Sequence, residues 1–222
     1  LLDSPLDESR EKFNESLDVL NALLTKEEVS WKGRYYNFDK LTVMPRPMTE
    51  NGPPIMMAVL NPEGIYQCTK KGFHILTTPL SGDYQLMLDQ VDGFNRAKQE
   101  LGQKGEDLSL SLSRVAFIAK NEKDKREKLE MAYEYYSRFD NVFTGPGKVS
   151  HGMIDILPRK QSMEELDESL LICSVEEMID KLSPYEEIGI DRLILNMNFG
   201  ASQKDTMTSI QQFAEKVSPH FS

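Results

Sequence analysis

Apolar residues recur along this chain with two periods, and the alternation between them lays out its elements. From Ser9 onward, Phe13, Leu17, Leu20 and Leu24 return at helical spacing with charged residues between them, which predicts a helix that buries one stripe. Ser4-Pro5-Leu6-Asp7 supplies a Ser cap with Pro in the first turn, and Asp7 and Ser9 are alternative caps. In VSWKGRYYNFD, aromatic and β-branched residues flank Lys32-Gly33, where a glycine at positive φ makes a tight hairpin turn. The proline-rich PRPMTENGPP that follows predicts a rigid, exposed connector.

Beyond it the pattern becomes strand, helix, strand. Ile55-Met-Met-Ala-Val59 is a continuous apolar run, the pattern of a strand covered on both faces. Asn61-Pro62-Glu63-Gly64 opens a helix, with Asn as cap and Pro in the first turn, that ends near Gly72. Phe73 to Thr77 is a second strand; Met87, Val91, Phe94 and Leu101 mark a helix stopped by Gly102. Val115 to Ala119 is a third strand, and Leu129, Tyr133 and Tyr136 lie on the next helix. Between Asp140 and Ser162 the periodicity disappears, which predicts a long loop of the kind that forms lids and binding loops. Ser174-Val-Glu-Glu177 is a capping box that leads Val175, Ile179 and Leu182 into a helix ending at Gly189. Arg192 to Asn196 is a fourth strand, and Met207, Ile210 and Val217 mark a final helix.

Strands alternating with helices through short turns predict βαβ units in an α/β fold. The four strands are expected as parallel neighbours in chain order, with residues 60–65 and 198–202 at one end of the sheet. A complete (β/α)8 barrel needs eight strands, so either the sheet is open or half a barrel is missing. The chain begins at Leu1 without an initiator Met, and is expected to be a fragment.

Composition narrows the chemistry. With 26 Lys+Arg against 36 Asp+Glu the net charge is −10, which opposes nucleic-acid phosphates. No apolar run approaches the ~20 residues that cross a bilayer, and no export signal opens the sequence, so a cytoplasmic protein is expected. Cys68 and Cys173 stand alone, which argues against a zinc site or disulfide framework and for two small buried hydrophobes.

A phosphate-cradling glycine loop is absent, and Gly145-Pro-Gly-Lys-Val-Ser150 lacks the third glycine of a dinucleotide fingerprint. Two strand-to-helix turns offer N–H groups at a helix start, Leu60-Asn61-Pro62-Glu63-Gly64-Ile65 and Asn198-Phe-Gly-Ala-Ser202. On spacing alone each reads first as simple capping, with an anion cradle as the less favoured alternative, since Pro62 lacks a donor and Glu63 adds negative charge. Of His74, His151 and His220, only His151 lies where a lid could carry it to a substrate, between Gly147 and Gly152 in the long loop.

The segments SREKFNESLDVLNALLTKEEVSWKGRYYNFD, PRPMTENGPPIMMAVLNPEGIYQCTKKGFHIL and SVEEMIDKLSPYEEIGIDRLILNMNFG, followed by FAEKVSPHF, occur in an order that resembles the luciferase-like flavin-dependent monooxygenases, relatives of bacterial luciferase. The resemblance implies a (β/α)8 TIM barrel of which residues 1–222 are the C-terminal part, with about the last four βα units. It implies a monooxygenase that uses reduced FMN and O2 on a small organic substrate. A flavin reductase supplies the cofactor, and a homodimer is expected. The family's flavin-phosphate turn after its fifth strand maps onto Leu60, Asn61, Glu63, Gly64 and Ile65, although Asn61, Pro62 and Gly64 stand where relatives carry small hydroxyl residues. Residues 140–162 correspond to a mobile active-site loop, and the catalytic groups of the early strands have no matching positions here. Two alternatives share the resemblance: a deazaflavin-dependent oxidoreductase, and a non-catalytic flavin-binding or partner subunit.

Overall fold

The computed structural model describes residues 7–49, 52–143 and 145–221, so Ser4, Pro5 and Leu6 of the candidate first cap lie outside the described residues. The chain divides into two compact units, Leu1–Ile55 and Met56–Ser222. In the first, helix α1 (Ser9–Thr25) accompanies an antiparallel hairpin of β1 (Val29–Lys32) and β2 (Asn37–Leu41). The helix forms where its spacing predicts, but its apolar stripe is only partly buried: Phe13 and Leu20 are 51% and 47% exposed and Leu17 and Leu24 half-buried, whereas Val19 and Ala22 are buried. Polar contacts to the hairpin come from Glu15 and Ser16, which share a helix face with Val19 and Ala22, and from Glu8 and Glu11, which reach Arg34 and Tyr35; the stripe lies opposite Val19 and Ala22.

Gly33 does not take a positive φ. Four residues join β1 to β2, closed by the Gly33 N–H on the Tyr36 carbonyl at 2.9 Å. The glycine provides room, because a Cβ there would meet Glu15 Oε1 at 1.8 Å. That carboxylate accepts from the N–H groups of Arg34, Tyr35 and Tyr36 and from the Trp31 indole, at 3.0 to 3.1 Å. Desolvation pushes the Glu15 carboxyl up, but these hydrogen bonds together hold it below its ordinary value. A depressed folded value means that the contribution is present above the ordinary carboxylate range and is lost as pH falls through the folded value. Acidification should therefore loosen the turn and shift the emission of Trp31, the single tryptophan, to the red. In a Glu15→Gln variant the shift should no longer track pH.

In the second unit the order is β3 (Met56–Ala58), α2 (Pro62–Lys70), β4 (His74–Thr77), α3 (Tyr84–Leu101), β5 (Leu110–Ile118), α4 (Glu122–Phe143), β6 (Val149–Ser150), β7 (Met153–Ile154), α5 (Met163–Ser169), β8 (Leu171–Cys173), α6 (Val175–Glu187), β9 (Arg192–Asn196) and α7 (Gln203–Gln212). Strands β3, β4, β5 and β9 run parallel and adjacent in that order, as the alternation predicts; β8 pairs in parallel with the far end of β5.

The register sorts side chains onto two faces. Ile75, Leu110, Leu112, Ala116 and Ile118 enter cores built with α2, α3 and α6. On the other face Ala58 shares a side with Leu76, Leu76 lies beside Ser111, Ser113 beside Ile194, and Val115 beside Asn196. Helix α4 covers this face only near Val115 and Phe117. Strand β3 is therefore not covered on both sides as its apolar run suggests: Met56 is 41% exposed, as Ile194 is 39% exposed on β9.

The region expected as one long loop is partly ordered structure. Asp140 continues α4, which ends at Phe143, and β6 and β7 pair as an antiparallel hairpin. Its two-residue turn has His151 at φ +50° and Gly152 at φ +78°, the backbone of a type I′ turn. Fully buried Asn141 anchors the hairpin base: its Nδ2 donates to the carbonyls of Lys148 (2.9 Å) and Asp155 (2.7 Å), and its Oδ1 accepts from the Lys148 N–H (2.8 Å). The Ser174–Glu177 capping box forms with both of its bonds. Cys68 and Cys173 are unpaired, and burial pushes the Cys173 thiol up to about 11, so it stays protonated and inert. No described helix is long and apolar enough to cross a membrane.

Candidate active site

Strands β3, β4, β5 and β9 end on the same side, where the loops into α2, α3, α4 and α7 converge. At the end of β3, Asn61 caps α2: its Oδ1 accepts from the Gly64 N–H at 3.1 Å and its carbonyl from the Ile65 N–H at 2.9 Å. Pro62 has no N–H, and the Leu60 carbonyl is taken by Gln90 Nε2 at 2.8 Å. The same Nε2 reaches the Thr78 carbonyl at 3.0 Å, so one buried amide ties the ends of β3 and β4 together. What the turn leaves open among the described residues is the Glu63 N–H and Asn61 Nδ2, both at the positive end of the helix dipole.

The five residues singled out in sequence thus separate. Leu60 is 42% exposed and borders a cavity. Asn61 and Glu63 carry the open donors, and the Glu63 carboxylate is engaged by Gln67 Nε2 at 2.8 Å. Gly64 is half-buried, and a Cβ there would touch Val59 Cγ1 at 2.9 Å. Ile65 is fully buried against Ile75 and Phe94, and anchors the helix rather than facing the turn.

The second turn, at residues 198–202, already holds an anion. Ser202 caps α7 by accepting from the Asp205 N–H at 3.1 Å and donates to Asp205 Oδ2 at 2.9 Å. That carboxylate pairs with Lys120 at 2.7 Å, with the buried Lys128 ammonium 3.9 Å away. A phosphate would have to displace it.

Beside the first turn lies a cavity of about 440 Å³, within the range of small-molecule sites. Its floor is Ala58, Leu76, Ser113, Val115 and Asn196, on the uncovered face of the sheet, and its wall is Tyr135, Tyr136, Phe139 and Phe143 of α4. Among the described residues no Asp, Glu, Lys, Arg or His lines it. Phe139 and Phe143 stack at 4.0 Å, and Tyr135 meets Tyr136 edge-on at 5.1 Å. Burial raises the Tyr136 phenol well above its ordinary value, so the wall stays neutral at physiological pH.

Behind the wall, the side chain of Arg159 is only 6% exposed. It pairs with Asp140 at 2.9 Å, donates to Ser81 Oγ at 2.6 Å and Gln161 Oε1 at 2.8 Å, and lies over the Tyr136 ring at 5.4 Å. It thereby fixes the segment leaving the hairpin to α4 and to the β4–α3 loop.

The aromatic wall was not singled out in sequence, although Tyr135, Phe139 and Phe143 recur at intervals of four in YEYYSRFDNVF and so share a helix face. None of the three histidines lines the cavity. His74 accepts the Ser109 N–H on Nδ1 at 3.1 Å, at the opposite end of β4, and His151 forms the hairpin tip.

The oxygenase component of flavin-dependent trigonelline monooxygenase from Acinetobacter baylyi is 25% identical over 207 residues, 90% of this chain and 57% of that protein. Two solved structures share the fold at a TM-score of 0.68. One is the oxygenating constituent of Pseudomonas putida 3,6-diketocamphane monooxygenase in complex with FMN, 14% identical, with 95% of this chain and 63% of that one aligned. The other is an F420-dependent secondary alcohol dehydrogenase with an F420–acetone adduct, 18% identical, with 99% and 64% aligned. The chain thus spans less than two thirds of the length of each. Residues 2–192 match the luciferase-like monooxygenase family, and the chain belongs to it.

Proposed function

We propose that this chain is the C-terminal part of a (β/α)8-barrel monooxygenase that uses reduced FMN and O2 to oxidise a small organic substrate. The observation that carries this reading is the pairing of an uncharged, aromatic-walled cavity with a helix N-terminus that has open donors, at the C-terminal ends of parallel strands. The residues fit the cofactor. Asn61 Nδ2, the Glu63 N–H and the α2 dipole would hold the phosphate. The apolar cavity suits a planar ring system, and bound reduced flavin would supply the electrons that activate O2.

No Lys or Arg lines the cavity, so within this chain the N–H groups and the dipole carry the phosphate's charge. The relative's designation as an oxygenase component supports delivery of flavin by a separate reductase. Residues 140–162 serve as the active-site cover. Their hairpin is fixed at its base by Asn141 and displays Val149 and Met153, 61% and 63% exposed, as apolar surface able to exclude water.

Gly64→Asp in the full-length protein tests the phosphate assignment. The new carboxylate would oppose a phosphate at the same helix start. Its contact with Val59 offsets the gain from replacing a poor helix former, so stability should change by no more than about 1 kcal/mol. Anaerobic titration with reduced FMN should show binding weakened at least about tenfold. Equal affinity would move the phosphate elsewhere. The alternative cofactor, deazaflavin, is supported by the shared fold of the F420-dependent dehydrogenase, and tighter binding of reduced F420 than of FMN in the same titration would replace this reading.

A further inference from the structure

We propose that Arg114 heads a second ligand site, for a small planar oxyanion of the formate or bicarbonate class, on the helix-covered side of the sheet. On β5 the residues facing that side are Leu110, Leu112, Ala116 and Ile118, all buried, and Arg114 interrupts them. Arg114 is itself buried, at 6% exposure. Nη2 donates to the Ser169 carbonyl, whereas Nε is buried with no partner. Among the described residues no carboxylate lies within 4.0 Å of the guanidinium. Arginine cannot shed its proton to escape this position, so a buried guanidinium without a counter-charge calls for an anion.

A cavity of about 80 Å³ opens on Arg114 between α5 and α6, lined also by Lys181, Tyr185 and Glu168. The Lys181 ammonium donates only to the carbonyls of Asp167 (3.3 Å) and Leu170 (3.2 Å), which leaves it a third donor. The Tyr185 hydroxyl has no partner among the described residues, and its ring is buried. Three donors, two of them cationic, thus converge on a space that admits a few heavy atoms. The Nε and Nη2 protons share one edge of the guanidinium, the edge that pairs with a planar carboxylate. Glu168 stands at the mouth as the one acid of the lining and is the internal competitor for this place.

The test is thermal unfolding of the full-length protein titrated with sodium formate, at ionic strength held constant with gluconate, which is too bulky for the cavity. A ligand that binds only the native state raises Tm along a saturating curve. The expected result is a saturating rise for wild type, abolished in Arg114→Met and right-shifted about tenfold in Lys181→Gln. Met fills the volume without a charge, so Arg114→Met should fold; should it not, Lys181→Gln decides alone. Glu168→Gln is expected to tighten formate binding. The proposal is overturned by a rise linear in formate or equal in all variants, by no rise in wild type, or by a loss of formate-free stability in Glu168→Gln that a double variant with Arg114→Met does not deepen. That last outcome would make Glu168 the built-in anion.

Discussion

Replacing Gly93 by alanine in α3 is expected to destabilise the protein, although alanine is the better helix former. Propensity alone favours the change by about 1 kcal/mol. A Cβ at Gly93, however, would stand 2.6 Å from the Pro62 carbonyl oxygen and 3.3 Å from its carbon. These are backbone atoms of the first turn of α2, which cannot rotate away as a side-chain end can. Overpacking of this kind typically costs 1–3 kcal/mol, and a backbone neighbour places it at about the upper end, for a net loss of about 1–2 kcal/mol. The displacement also falls on the residue next to Asn61, so reduced-FMN affinity should drop together with stability. Urea denaturation and anaerobic titration of Gly93→Ala measure both. A more stable variant would refute the steric argument, and lost stability with unchanged flavin affinity would separate the α2 turn from the cofactor.

Asn141→Ala should act on the hairpin more than on the sheet. Three hydrogen bonds of 2.7 to 2.9 Å disappear, each worth about 1 kcal/mol net, so the hairpin should lose about 2–4 kcal/mol of local stability. Residues 147–155 should then exchange amide hydrogens faster and become the first site of proteolysis, while β4 and β5 keep their protection. If the hairpin covers the site, the variant should also release more hydrogen peroxide per flavin consumed. Unchanged exchange in residues 147–155 would show that Asn141 is not what holds them.

The strand order was legible because each parallel strand is an apolar run followed by a helix start with its own cap. Other features were hidden for physical reasons. The front of β5 alternates Leu with Ser, Ser111 fully buried and Ser113 half-buried on the face opposite the leucines, so the run seemed to begin at Val115. Strand β8 is three residues squeezed between α5 and a capping box, too short to carry a period. The hairpin turn is His-Gly rather than the Asn-Gly that announces a type I′ turn. For the site, sequence located the α2 turn but not its division of labour, because which N–H groups remain open depends on where Asn61 points its carbonyl oxygen. The aromatic wall was missed because Tyr133 and Tyr136 already accounted for the helix, and nothing in a helical period says which of two aromatic faces meets a cavity.

The two ends of the sheet differ in how they would behave in a crowded solution. Among the described residues β3 pairs only with β4, and β9 only with β5. In the closed barrel proposed above, the ladder groups on their outer sides would pair with the barrel's other strands; wherever those strands are detached, the same groups can accept a strand from another molecule. At β9 the first residue is Arg192, a charge of the kind that resists such stacking. At β3 the whole strand is Met56, Met57 and Ala58, with no charge and no proline within it. Self-association of the opened barrel should therefore begin at β3, and a lysine at Met56, on the uncovered face, is the substitution that would suppress it at least expense to the core.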